Sequence, residues 1–179
     1  RASIGPASLC LHWGLIILFV AHLVGFIGGS YNLGSWVEFF KWTGLGSGII
    51  FLYGVSWALI RRIFIPQVKA MSTPDDYILL IFLILIAGLG LYQVAIKMVF
   101  GISFLAGPWI ASIFTLQPDI SAISGAPLIN KLHIIIAFAF FAYFPFTKLV
   151  HFASYPFGYI NRPYVSMRSK RSDEKEERV

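Results

Sequence analysis

Charge is scarce in this chain. Of its 179 residues, 12% are charged and 58% hydrophobic, with 8 acidic side chains against 14 basic ones. Soluble domains carry about a quarter charged residues, so this balance points away from water. Cysteine is nearly absent. The single Cys10 lies inside an apolar segment, which excludes a disulfide framework or a thiolate metal site and leaves a packing role. Histidine is sparse too, with four in all. No short apolar core with a cleavage site marks a signal peptide, the chain opens at Arg1 rather than methionine, and no internal repeat is visible. A net charge of +6 would suit a nucleic-acid partner if the basic residues formed a patch, but most fall at one set of ends of long apolar runs. That is the pattern of a membrane topology, and it excludes nucleic acid as the partner.

Four of those runs approach or exceed the roughly 20 residues needed to cross a bilayer. Spans are expected at about residues 7–27, 37–60, 77–96 and 128–153. The third follows Ser72-Thr73-Pro74-Asp75-Asp76, where Thr73 suits the cap, Pro74 the first helical position, and the two aspartates the positive end of the helix dipole. A fifth apolar stretch, 99–116, is interrupted by Gly107-Pro108 into pieces too short to span. Charge parity agrees. With four spans, Arg1, the Arg61/Arg62/Lys69 loop and the tail share one face, and only Lys41, Lys97 and Lys131 lie on the other. The 99–116 stretch is therefore expected at the outer interface. The fold class is an all-α, integral-membrane four-helix bundle over residues 1–160. A charged cytoplasmic tail follows over 161–179, and both ends of the chain face the cytoplasmic side of the cell membrane.

An ionisable side chain in a membrane span is costly and marks a functional site by default. The four histidines fall two by two on the first and last spans: His12 and His22, His133 and His151. The first two are ten residues apart, about 15 Å along a helix; the second two are eighteen apart, about 27 Å and five turns, which would put both on one face. Antiparallel first and last spans pair His22 with His133 near the outer face and His12 with His151 near the inner face. The axial spacings do not match, and helix tilt with a break at Pro145 has to absorb the difference. Two neutral imidazoles fill the axial positions of a haem iron, whereas zinc wants three or four ligands, and no carboxylate or thiolate is expected at this depth. The plain alternative is that these histidines only hydrogen-bond between helices.

The motifs carry a resemblance. His12 with nine residues before His22, the segment RRIFIPQVKAMSTPDD (61–76), and above all KLHIIIAFAFFAYFPFTKLVHFASYPFGYINRPY (131–164) are similar to the gamma subunit of membrane-bound respiratory nitrate reductase. The outer loops, 28–40 and 97–127, match less closely. The resemblance implies a dihaem cytochrome b subunit, with His22 and His133 on the distal haem iron and His12 and His151 on the proximal one. It implies quinol oxidation near the distal haem with proton release outside. Electrons would then pass inward to a cytoplasmic-side iron–sulfur subunit, which feeds a molybdenum catalytic subunit where nitrate is reduced. The family fold has one further N-terminal helix that this sequence does not contain. The family also carries glycine before the second histidine, where Ala21 stands here, in the quinol region.

Other residues are candidates by position. Arg62 and Lys148, with Arg61 beside the former, are expected near the proximal haem propionates, against the plain reading of positive-inside anchors. Lys41, expected at the start of the second span, is the quinol-region candidate, with Lys97 and Lys131 behind it; a snorkelling lysine is the competing reading. Gly44, Gly46 and Gly48 either admit a porphyrin edge or tighten helix packing. Two other functions remain in view. One is a related dihaem subunit of a sulfur-metabolism or heterodisulfide-reductase-type complex, which co-purifying subunits would reveal. The other is a haem-free transporter, which would show no Soret band.

Overall fold

Large apolar side chains gain little by leaving lipid for a neighbouring helix, so small residues decide where membrane helices touch. The computed structural model of the chain describes residues 5–31, 33–102, 104 and 106–150, and the regular elements of these residues are all helical. The α-helices are α1 (Gly5–Ser30), α2 (Gly34–Phe64), α3 (Pro66–Ala70), α4 (Pro74–Phe100), α5 (Gly107–Phe114), α6 (Ser121–Ser124) and α7 (Leu128–Tyr143), with short 3-10 turns at Phe144–Phe146 and Lys148–Val150. Four are long and apolar enough to cross a membrane: α1, α2, α4, and α7 together with its 3-10 extension to Phe146. The expected all-α membrane bundle is therefore what forms. Residues Arg1–Thr147 make one compact unit, and Lys148–Val179 belong to a second.

On α1 the buried positions Ala7, Gly14, Ala21 and Gly28 recur every seven residues. They form a narrow stripe of small side chains facing α2, where Gly14 lies on Phe51, Gly28 on Trp36 and Ala7 beside Gly54. The backbones nearly touch. A Cβ added to Gly14 would stand 2.7 Å from the Phe51 nitrogen, and one added to Gly54 2.6 Å from the Leu11 nitrogen. Large apolar residues point the other way: Trp13, Phe19 and Phe141 are each about 60% exposed, as lipid-facing side chains are. The seam between α2 and α4 closes where Gly48 meets Leu91, and that between α4 and α7 where Phe82 packs at a tilt on Phe140 and stacks on Tyr143. Helix α5 docks on the end of α1: Gly107 lies on the Gly29–Ser30 backbone, and Ser30 Oγ donates to the Gly107 carbonyl at 3.1 Å. The order of packing is thus α5, α1, α2, α4, α7, and α1 forms no comparable backbone interface with α7 among the described residues.

The helix ends follow from their residues. Thr73 and Asp76 form a capping box, with the Thr73 amide donating to Asp76 Oδ2 at 2.9 Å, and Pro74 occupies the first turn as expected. Gly101 ends α4 in the left-handed region at φ 69°, which glycine adopts without strain. Three expectations need correction. Helix α2 begins at Gly34, so Lys41 lies two turns inside it rather than at its start. Gly107-Pro108 does not merely interrupt the fifth stretch but opens α5, proline being well suited to the first turn. The last span is not one helix to residue 153: α7 stops at Tyr143, because Pro145 has no N–H for the Phe141 carbonyl and its ring crowds it. Thr147 is then extended at φ −96°, ψ 162°. The argument that five unbroken turns place His133 and His151 on one face therefore fails.

Candidate histidine site between the first and last spans

The open side of the bundle, between α1 and α7, is where His22 and His133 stand. His22 of α1 and His133 of α7 approach to 6.4 Å between ring centres, with their planes 16° apart. The ring of His133 rests on α4 at Gly90, where an added Cβ would come within 3.3 Å of its Cε1. Its Nδ1 is buried and makes no hydrogen bond. The Nδ1 of His22 lies 2.8 Å from the Leu18 carbonyl, one turn back on its own helix. A carbonyl only accepts, so that nitrogen is the donor, and in the neutral ring Nε2 then keeps its lone pair. His12 repeats the device, with Nδ1 at 2.7 Å from the Ser8 carbonyl. Both rings of α1 are thus held in the tautomer and orientation of a metal-ligating imidazole, whose other nitrogen donates to a backbone carbonyl.

The fit of a haem to this pair can be tested on the ring separation. A direct histidine–histidine hydrogen bond brings two nitrogens to about 3 Å and would draw the ring centres closer than the observed 6.4 Å, so the pair leaves room between its rings for a group that both imidazoles could hold, as a haem iron would be. Among the described residues no three His, Cys, Asp or Glu side chains converge.

At the inner end the expected partner of His12, His151, lies outside the described residues. Lys148 opens the 3-10 turn Lys148–Val150 of the second unit. Arg61 and Arg62 are half-buried, and the Nε of each is buried without a hydrogen bond. The pairing of Leu11 with Gly54 sets His12 level with Tyr53. Arg62 therefore lies nine residues, or about 13 Å, beyond that level toward the C-terminal end of α2. Tyr77 hydroxyl donates to the Arg62 carbonyl at 3.0 Å and ties that end of α2 to α4.

At the outer end Lys41 is paired. Its ammonium bonds to Glu38 and lies 4.7 Å from the Trp42 ring centre, while Lys97 reaches the same carboxylate at 3.7 Å. Lys131 donates to the Ser124 carbonyl at 2.8 Å. Ala21 belongs to the packed stripe against α2, one residue from His22. Of the three candidate glycines near the head of α2, Gly48 is taken up in packing, whereas Gly44 and Gly46 have open space where a Cβ would stand. Glu38, Gly90 and a half-buried amide pair, Gln93 with Asn130, were not singled out from the sequence. The signal for the last was available, since an amide inside a membrane span is as conspicuous as a histidine.

With this geometry in hand, comparison with known proteins is informative. The family described as nitrate reductase gamma subunit matches residues 1–170. The chain is 29% identical to the nitrate reductase gamma chain of Bacillus subtilis (strain 168), over 95% of this chain and 81% of that protein. It is 28% identical to the respiratory nitrate reductase 1 gamma chain of Escherichia coli (strain K12), over 95% of this chain and 80% of that one. It is 30% identical to the nitrate reductase-like protein NarX of Mycobacterium tuberculosis (strain ATCC 25618 / H37Rv), over 92% of this chain but 27% of the longer protein.

Proposed function

The chain belongs to the nitrate reductase gamma subunit family, and we propose that within such a complex it is the quinol-oxidising dihaem cytochrome b subunit. Family membership makes it a membrane component of an oxidoreductase complex that has other subunits. The observation that carries the finer reading is the meeting of His22 and His133 across the open α1–α7 side at 6.4 Å, with the His22 Nδ1 proton committed to a backbone carbonyl. Two b haems, when bound, supply one-electron carriers between a quinol at the outer side and an iron–sulfur subunit at the cytoplasmic side, which serves a molybdenum subunit.

The chain's own residues have definable tasks on this reading. His22 and His133 hold the distal haem iron, and His12 and His151 the proximal one. Carbonyls of Ser8 and Leu18 fix the His12 and His22 tautomers so that Nε2 is the ligand atom. The absent side chain of Gly90 lets the His133 ring lie close to α4. Arg62, with Arg61 beside it, offers a buried Nε–H that has no partner among the described residues to propionates approaching from the inner side, although its Nη1 also donates to the Ala58 carbonyl, and Lys148 is the further propionate candidate. Lys41 and Ala21 remain quinol-region candidates at the outer side, with Lys41 held by Glu38. Both chain ends then face the cytoplasm, since the basic loop after α2 marks the inner face.

The test is a reduced-minus-oxidised spectrum of the purified complex with haem quantification. Two b haems per chain are expected, falling to one for His22→Leu or His133→Leu. Those variants should lose quinol-driven turnover while the soluble subunits still reduce nitrate from artificial donors. Purified wild-type complex without porphyrin would end the proposal.

A further inference from the structure

Next to the histidine pair, two amides face each other across α4 and α7 in surroundings that are otherwise largely apolar. Asn130 Nδ2 donates to Gln93 Oε1 at 2.7 Å. Asn130 stands one helical turn before His133, and Gln93 one turn after Gly90, the residue against which the His133 ring rests. The amides therefore share the α4–α7 seam with that ring and lie about 5 Å further out along it. Their mutual bond engages only the Gln93 oxygen. Gln93 Nε2, with its two N–H groups, is buried and has no hydrogen-bond partner. Inside a bilayer no bulk water supplies an acceptor, and a buried donor left unmade is costly. A clamp between helices needs the Asn130–Gln93 bond alone; the spare donors call for an oxygen that none of the described residues provides.

Building on the proposal that His22 and His133 hold a haem beside a quinol site, we infer that Gln93 Nε2 is a hydrogen-bond donor site for an oxygen acceptor bound next to His133. Two molecules present there on that reading carry such an oxygen: the head group of a quinone or quinol, and a porphyrin carboxylate. The role is recognition, with no bond made or broken. Asn130 is the positioning residue, since its bond to Oε1 fixes the amide plane and turns Nε2 away from itself.

The experiment uses the intact, detergent-purified complex with Gln93→Leu, which removes both donors, and Asn130→Ala, which loosens the clamp but leaves them. Four quantities are read: haem content, the midpoint potential of each haem, KM and kcat for 2-methyl-1,4-naphthoquinol, and calorimetric Kd for the corresponding quinone. Gln93→Leu is expected to retain both haems. A rise in KM and Kd of about threefold to tenfold, with kcat and potentials unmoved, identifies the quinone oxygen as the acceptor. A shift of the outer haem's potential alone, with KM and Kd unmoved, identifies the carboxylate. If Gln93→Leu does not assemble, Gln93→Asn, which withdraws the donors by one methylene, carries the same readouts. Wild-type KM, Kd and potentials in the Gln93 variant, with only a lowered melting temperature, would overturn the inference and leave the pair as a clamp. A haem-free wild-type complex would instead sink the proposal on which the inference rests.

Discussion

Replacing Gly54 by alanine tests whether the α1–α2 contact fixes the position of the histidines. An added Cβ would lie 2.6 Å from the Leu11 nitrogen and 2.9 Å from the Ala7 oxygen, and both are backbone atoms of α1 that have no rotamer to change. The closest contact is about 0.8 Å short of ordinary van der Waals distance, so relief requires the helices to separate, and overpacking of this kind costs about 1–3 kcal/mol. Helix α1 carries His12 and His22, so any displacement is transmitted to the spacing between His22 and His133. The assay is thermal denaturation of the purified complex, followed by haem absorbance and by light scattering. Gly54→Ala should lower the apparent midpoint by roughly 5 °C and reduce haem occupancy. The controls are Gly44→Ala and Gly46→Ala on the same helix, where an added Cβ meets open space. There the gain in helix propensity, up to about 1 kcal/mol, is unopposed, and the midpoint should hold or rise. A Gly54→Ala complex as stable as the two controls would show that α1 and α2 are not in backbone contact, and the packing argument would fail.

Two further substitutions probe the ends of the spans. Asp76→Ala removes the reciprocal half of the capping box at a buried position and should cost about 1–2 kcal/mol, seen as faster amide exchange over the first turn of α4 with haem content unchanged; unaltered exchange would refute the role of the cap. Glu38→Gln should leave thermal stability and haem content close to wild type, because the carboxylate that joins Lys41 to Lys97 is half exposed and such pairs contribute little, whereas a large loss on the same denaturation assay would contradict that placement.

The four spans were legible from length and apolarity alone, and the start of α4 from its Thr-Pro-Asp-Asp run, since capping chemistry is local. So was the meeting of His22 with His133, because antiparallel first and last spans leave few other partners for an outer-half histidine. What escaped was set by neighbours rather than by composition. Hydropathy counts glycine and alanine as unremarkable, so the seven-residue recurrence of Ala7, Gly14, Ala21 and Gly28 passed unseen, and Ala21 was read against the quinol instead of against α2. Helix α2 was begun three residues too late because the glycine and serine on which it starts are common loop residues. In the last span Pro145 was counted as a bend in a continuing helix, while the backbone leaves the helix by Thr147. Eighteen residues of the last span therefore no longer convert to five α-helical turns, because the described residues after Tyr143 form short 3-10 turns.

The geometry of α1 explains how one helix both packs and presents ligands. Successive residues turn by about 100°, so a stripe at every seventh position stays within a narrow sector. His22, one residue past Ala21, and His12, two before Gly14, both fall outside it. Small residues in the stripe draw α1 onto α2 until the backbones touch, which leaves no room there for a ring of any kind. The imidazoles are thereby confined to the side of α1 that α2 does not cover. That side faces α7, the span with which α1 forms no comparable backbone interface among the described residues. A bulky side chain at Gly14 or Gly54 would widen the closed seam at the expense of the open one. The distance between His22 and His133 is therefore set as much by what is missing from the α1–α2 contact as by the histidines themselves.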